Sequence, residues 1–159
     1  MDKEILQGFA TRVAQANKSE LVVVIYEAAL ASIEEGKKYL QDGNVDEARH
    51  EIKRAEGMLD ELMRSLDMQY TIAHYLRQLY IYAYRELCQG IATRDASLFD
   101  HSTDVLKGLL PSFQELAKQD TSAPIMENTQ QIYAGLTYGR GTLNETMAID
   151  AGGNRGFEA

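Results

Sequence analysis

Only two prolines, Pro111 and Pro124, interrupt this chain of 159 residues. Proline removes a backbone donor and clashes with the preceding helical turn, so so few of them leave room for long helices. Apolar residues recur at helical spacing along most of the chain. Polar residues set the limits. Asp2 to Ala16 reads as a short, loosely held helix. Asn17-Lys18-Ser19-Glu20 has the capping-box pattern, in which the asparagine side chain accepts from the glutamate amide and the glutamate reaches back. A helix is predicted from about Lys18 to Gln41, with Leu21, Val24, Ile25, Ala28, Ser32, Gly36 and Tyr39 in register. Gly43 ends it, because glycine accepts the left-handed cap conformation. Asn44-Val45-Asp46-Glu47 reads as a second capping box. It opens a helix whose apolar positions are Val45, Ala48, Ile52, Ala55, Leu59, Leu62, Met63 and Leu66. So short a connection makes the two helices antiparallel neighbours.

A third long helix is expected from near Tyr70 to about Thr93, with Ile72, Leu76, Leu79, Ala83, Leu87 and Ile91 as its main stripe. Asp95 is expected to cap a fourth, carrying Leu98, Val105, Leu106, Leu109, Phe113 and Leu116. Pro111 lies inside that pattern and costs about 3 kcal/mol in an ideal helix; a bend near Gly108 to Pro111 is expected, not two helices. Ser122 and Pro124 open a further helix with Ile125, Thr129, Ile132, Tyr133 and Leu136 on one face. After Tyr138 the composition changes: five of the 12 glycines lie between Gly139 and Gly156, and a mobile or extended tail is expected. The expected fold class is all-α: an antiparallel four-helix bundle with a short N-terminal segment and an additional C-terminal helix. The bundle domain would span 1–136 and the glycine-rich tail 137–159.

Composition narrows the function classes. A chain of this length suits one domain that hides roughly 70% of its unfolded surface, enough for a core without staples. Cys88 is the only cysteine, so no intramolecular disulfide forms, and a reducing, cytoplasmic setting is expected. The net charge of −8 repels phosphate backbones and argues against nucleic acid. Leu21 to Tyr26, a run of six apolar residues, is far too short to span a bilayer, and no N-terminal apolar region follows a basic start, so membrane insertion is not expected.

Motifs for chemistry are weak. Glu47-Ala48-Arg49-His50 has the spacing of one half of a di-iron site, but no second copy exists and Glu47 is already explained as a cap partner. His50-Glu51-Ile52-Lys53 resembles the phosphotransfer bundles, with Arg54 standing where a small residue is expected. That makes a histidine phosphotransfer bundle using His50 the alternative function. His74 and His101 lack partners at ligand spacing. Cys88 sits among apolar neighbours, so a buried, unreactive thiol is expected. Tyr138-Gly139-Arg140-Gly141 lacks the context of a phosphate loop. No catalytic residue, metal or cofactor is therefore assigned.

Two stretches are more apolar than a simple bundle needs: Leu21 to Tyr26, and the third long helix, where Tyr70, Tyr80, Ile81, Tyr84 and Cys88 extend the stripe far around. A helix apolar nearly all round is covered on several sides. One reading makes this the central helix, covered by the N-terminal segment and the last helix. The other makes part of the surface a groove for a partner's amphipathic helix or extended segment. On that second reading Val22, Val23, Tyr26, Tyr70, Ile81, Tyr84 and Cys88 face the partner.

Three blocks carry a family resemblance. They are Ser19-Glu20-Leu21 with Ile25-Tyr26-Glu27-Ala28-Ala29; Ala55, Leu59-Asp60-Glu61-Leu62 and Ser65-Leu66-Asp67; and Leu79-Tyr80-Ile81-Tyr82-Ala83-Tyr84-Arg85-Glu86-Leu87. In order and spacing, from about Ala10 to Leu116, the chain resembles the flagellin export chaperones, the FliS family. The resemblance implies a cytoplasmic chaperone that binds the disordered C-terminal segment of flagellin, prevents premature polymerisation and assists delivery to the flagellar export apparatus, without catalysis. It also implies that the chaperone's own N-terminal segment can cover part of the hydrophobic site. The chain departs from the family at Gly8-Phe9-Ala10-Thr11, where a tyrosine-glutamine pair is usual, at Ile81, where a polar residue is usual, and in its extension to Ala159.

Overall fold

A computed structural model describes residues 1–126. Within them the chain forms five helices: α1 (Lys3–Gln15), α2 (Lys18–Gln41), α3 (Val45–Arg64), α4 (Thr71–Thr93) and α5 (Leu98–Gln119). The four long ones form the expected bundle. Each of α2 and α4 packs against both α3 and α5, while α1 lies on α2. The core is built from Tyr26 and Ile33 of α2, Ile52, Leu59 and Leu62 of α3, Tyr80 and Leu87 of α4, and Phe99 and Leu106 of α5, all 1% exposed or less. The expected further helix and the tail from 137 lie outside the described residues, apart from Ile125 and Met126, which take helical conformation.

The helix ends follow local chemistry. Asn17 and Glu20 form the predicted capping box, with Glu20 N donating to Asn17 Oδ1 at 2.8 Å and Asn17 N donating to Glu20 Oε2 at 2.9 Å. The second predicted box does not form: Asn44 precedes α3 but its side chain makes no cap bond. Its backbone is used instead. Gly43 takes a left-handed φ of 82°, Gly43 N donates to Leu40 O and Asn44 N donates to Tyr39 O. This pair of bonds is the Schellman arrangement, which satisfies the last carbonyls of α2. Arg94 repeats it at the end of α4 with a φ of 56°, Asp95 N donating to Gly90 O. Asp95 does not cap α5. Its carboxylate accepts from Ser97 N and Ser97 Oγ in the turn before it, and α5 starts at Leu98. Pro111 is exposed and α5 runs through it as one helix, so the carbonyl it orphans can be hydrated.

Two close approaches set how the helices seat. A Cβ built on Gly36 would lie 2.7 Å from Ile52 Cδ1, and one on Gly90 would lie 2.5 Å from Phe99 Cε1. Beside the second contact, the buried Ser102 hydroxyl donates to Ala83 O at 2.7 Å. These fix α2 against α3 and α4 against α5.

The residues after α5 turn back onto the start of α2. Asn17 Nδ2 donates to Asp120 O at 3.2 Å, Ser19 Oγ donates to Asp120 Oδ2 at 2.5 Å, and Ile125 N donates to Ala16 O at 3.1 Å. Bonds from Ser122 and then Ser19 hold the Asp120 carboxyl down to about 2. The chain thus reaches Met126 at the end of the bundle that also carries the start of α2 and of α4.

Candidate functional site

The excess apolar residues of the sequence divide into three groups once the helices are placed. Tyr26 belongs to the core. Its hydroxyl meets that of Tyr80 at 2.5 Å, its ring lies edge-on to the Tyr80 ring and 5.1 Å from that of Phe113, and burial pushes both phenols up. Val23 is also buried, at the base of a cleft between α1, α2 and α5 that Arg12, Glu20, Gln114 and Lys118 rim with charge and amide. Tyr26 is fully enclosed, whereas Val23 is open only to that cleft.

Ile81, Tyr84 and Cys88 come together in a groove of about 790 Å³ between α3 and α4, with Asp60, Met63, Arg85, Gln89 and Ala92. Consecutive turns of α4 supply the three side chains, since residues three and four apart share one face. Cys88 is exposed, not buried as expected, because α3 at this level presents Glu56: Cys88 Sγ donates to Glu56 Oε1 at 3.3 Å. Partial burial and that carboxylate push the thiol up to about 11, which leaves it protonated and unreactive at neutral pH. Partial burial, Glu56 and Asp60 also push the Tyr84 hydroxyl up. The groove has an apolar floor and an acidic α3 edge.

Val22 and Tyr70 line a second groove at the end of the bundle, with Leu62, Leu66, Ile72, Leu76 and Phe113. Met63 in the first groove and Leu62 in the second are neighbours on α3, and Leu66 follows just after its end, so the two grooves adjoin. Five of the seven residues singled out in the sequence therefore line adjoining concave surface, and two do not. Met63, Leu66 and Phe113 were read as helix stripe alone; the place of Met63 and Phe113 beside the grooves depends on how α3 and α5 are rotated, which spacing does not give, and Leu66 falls just past the end of α3.

The N-terminal segment does not cover α4 as the first reading had it, and the last helix of that reading lies outside the described residues. α1 covers α2, held by an Arg12–Glu27 ion pair and by the Met1 amino group, 2.8 Å from the buried Glu51. The face of α4 is also turned from the expected one. Ala73, Tyr80, Ala83, Leu87 and Gly90 point inward, whereas Ile72 and Leu79 are 63% and 39% exposed. Tyr75 and Tyr82 join them at 62% and 44%. Tyr80 can take the central place that Leu79 was expected to hold because Tyr26 satisfies its hydroxyl.

The residues weighed for chemistry lie apart from these surfaces. His50 and Glu47 are exposed on α3, beside Tyr39, Asp46 and Glu51. His101 is exposed and bonds Glu86 at 2.5 Å. Among the described residues no group of histidine, cysteine and carboxylate side chains could hold a metal ion, and no helix is long and apolar enough to cross a membrane. No curated protein matches the chain. The model of the flagellar protein FliS family matches residues 1–120, which takes in all five helices. With three quarters of its length matched and the bundle in place, the chain belongs to the FliS family.

Proposed function

We propose that this chain is a cytoplasmic flagellar export chaperone that holds the disordered C-terminal segment of flagellin, prevents its premature polymerisation and presents it to the flagellar export apparatus. Membership of the FliS family supports the chaperone role. The observation that carries the binding site is the pair of adjoining grooves, from Cys88 and Tyr84 past Ile81 and Met63 to Tyr70 and Val22. Such a surface suits an amphipathic helix laid on its apolar face, with anchors three and four residues apart. Binding alone does the work in this reading: the client pays its ordering entropy on the chaperone and cannot pair with other flagellins while held. No catalysis is needed.

Calorimetry with a peptide of the flagellin C-terminal segment tests the reading. Saturable binding is expected. Replacing Ile81 by Asp should weaken it by roughly tenfold or more, since an apolar side chain buried at such a contact contributes about 1.5–3 kcal/mol. No binding heat up to high micromolar peptide would overturn the assignment.

A further inference from the structure

The exposed side of α4 carries a further apolar surface, which meets the bundle-end groove at Ile72. Ile72, Tyr75, Leu79 and Tyr82 follow one another at helical spacing and are all exposed. The bonds from Ser102 to Ala83 and between His101 and Glu86 show that this flank turns toward α5, away from the α3–α4 groove. Leu116, exposed on α5, lies on the flank of that helix that carries His101 and extends the stripe toward the bundle end. Large apolar side chains exposed in one row, and not singly, are the pattern that marks an interaction surface. Among the described residues nothing covers the stripe.

We propose that the chain's own segment 129–138 lies along this stripe. Three observations select that occupant. The first is where the chain leaves: Ile125 is bonded to Ala16, and the end of α5 lies beside the start of α4, so Met126 stands at the end where Ile72 begins the stripe. From Phe113, which lines a groove with Ile72, to Gln119 is about 9 Å of helix rise. The second is length: the 33 residues after Met126 exceed what is needed to follow Ile72 to Tyr82, about 15 Å of rise. The third is pattern: Ile132, Tyr133 and Leu136, with Thr129 before them, recur at three- and four-residue spacing, the form of an apolar face that matches a groove. The family match stops at residue 120, so this cover belongs to the extension and not to the part shared with the family. Apart from Ile72, which also borders the bundle-end groove, the stripe lies on a different flank from the proposed client grooves, and the contact is intramolecular, so it stands whether or not flagellin is the client.

The full-length protein is tested alone, without any partner. Tyr75 is replaced by the photo-reactive p-benzoylphenylalanine, and in a control chain Arg77, on the α3-facing side of α4, is replaced instead. After irradiation, mass spectrometry should place most adducts of the first chain within residues 129–138 of the same molecule, and at least fivefold fewer in the control. Ile132→Asp with Leu136→Asp should abolish those adducts and raise the fluorescence of a dye for apolar surface several-fold. No adduct from position 75, adducts elsewhere in the chain, adducts confined to covalent dimers, or an adduct yield unchanged by the double substitution would each overturn the proposal.

Discussion

Tyr26 and Tyr80 exchange a hydrogen bond in the middle of the core, and each is the other's means of being buried. A hydroxyl removed from water without a partner costs about 1–3 kcal/mol, whereas removing both partners together is close to neutral. Tyr26→Phe and Tyr80→Phe are therefore each expected to destabilise by about 1–3 kcal/mol, and the double variant by less than the sum, with a coupling of at least about 0.5 kcal/mol in urea unfolding. Strictly additive costs would mean that the two hydroxyls do not depend on each other. The same pair explains the misplaced register of α4. Leu79 and Tyr80 are both apolar enough for a core stripe, and spacing alone favours the leucine; only the facing tyrosine on α2 makes the inward turn of Tyr80 the better choice. Cys88 misled in the opposite direction. Its apolar sequence neighbours suggested burial, but the residue it meets across the bundle is Glu56, 32 positions away.

Helix limits were legible from the sequence because caps act locally. Asn17 and Glu20 lie three residues apart and need no tertiary contact to find each other. Asn44 and Glu47 have the same spacing, yet Gly43 had already directed the Asn44 backbone back to Tyr39, and the side-chain cap is not needed. The end of α4 uses that bond pattern with Arg94 in place of glycine, and two substitutions there should act in opposite directions. Arg94→Gly removes the steric cost of a left-handed residue, about 1–2 kcal/mol, part of which returns as unfolded-chain entropy; a net gain of about 1 kcal/mol is expected. Gly90→Ala gains up to about 1 kcal/mol of helix propensity. Its methyl, however, would meet the ring of Phe99, which is fully buried, and the carbonyl of Asp95 at 3.1 Å. Overpacking of about 1–3 kcal/mol outweighs the propensity, so this variant should be less stable than the parent. Denaturant midpoints at unchanged slope measure both. A stabilising Gly90→Ala would mean that α4 and α5 can separate slightly at no cost.

At the scale of the whole molecule, the bundle was legible because four amphipathic patterns with short connections admit few arrangements. The partner surface was legible only in part. Apolar residues in excess were found, but whether each lies in the core, in a groove or on an open flank depends on the rotation of every helix about its axis. Tyr26, Tyr84 and Tyr82 show all three outcomes. The place of α1 has a testable consequence. It contributes no buried residue of its own and rests mainly on α2, through an exposed ion pair and partly buried side chains such as Phe9 and Val13, with the Met1 amino group ahead of it bonded to Glu51 of α3. The four long helices share one core, so they should open together with the full unfolding free energy, while α1 should open locally at a much smaller cost. In native-state hydrogen exchange the amides of Leu6 to Gln15 are expected to show protection factors at least a hundredfold below those of Ile52 to Leu62 and Tyr80 to Leu87. Opening α1 uncovers Val23 and Val24 without disturbing Tyr26, whose cover is Tyr80 and Phe113. The α2 amides around Tyr26 should therefore keep the protection of the bundle. Protection of α1 within tenfold of the core would instead make it an integral fifth member of the bundle.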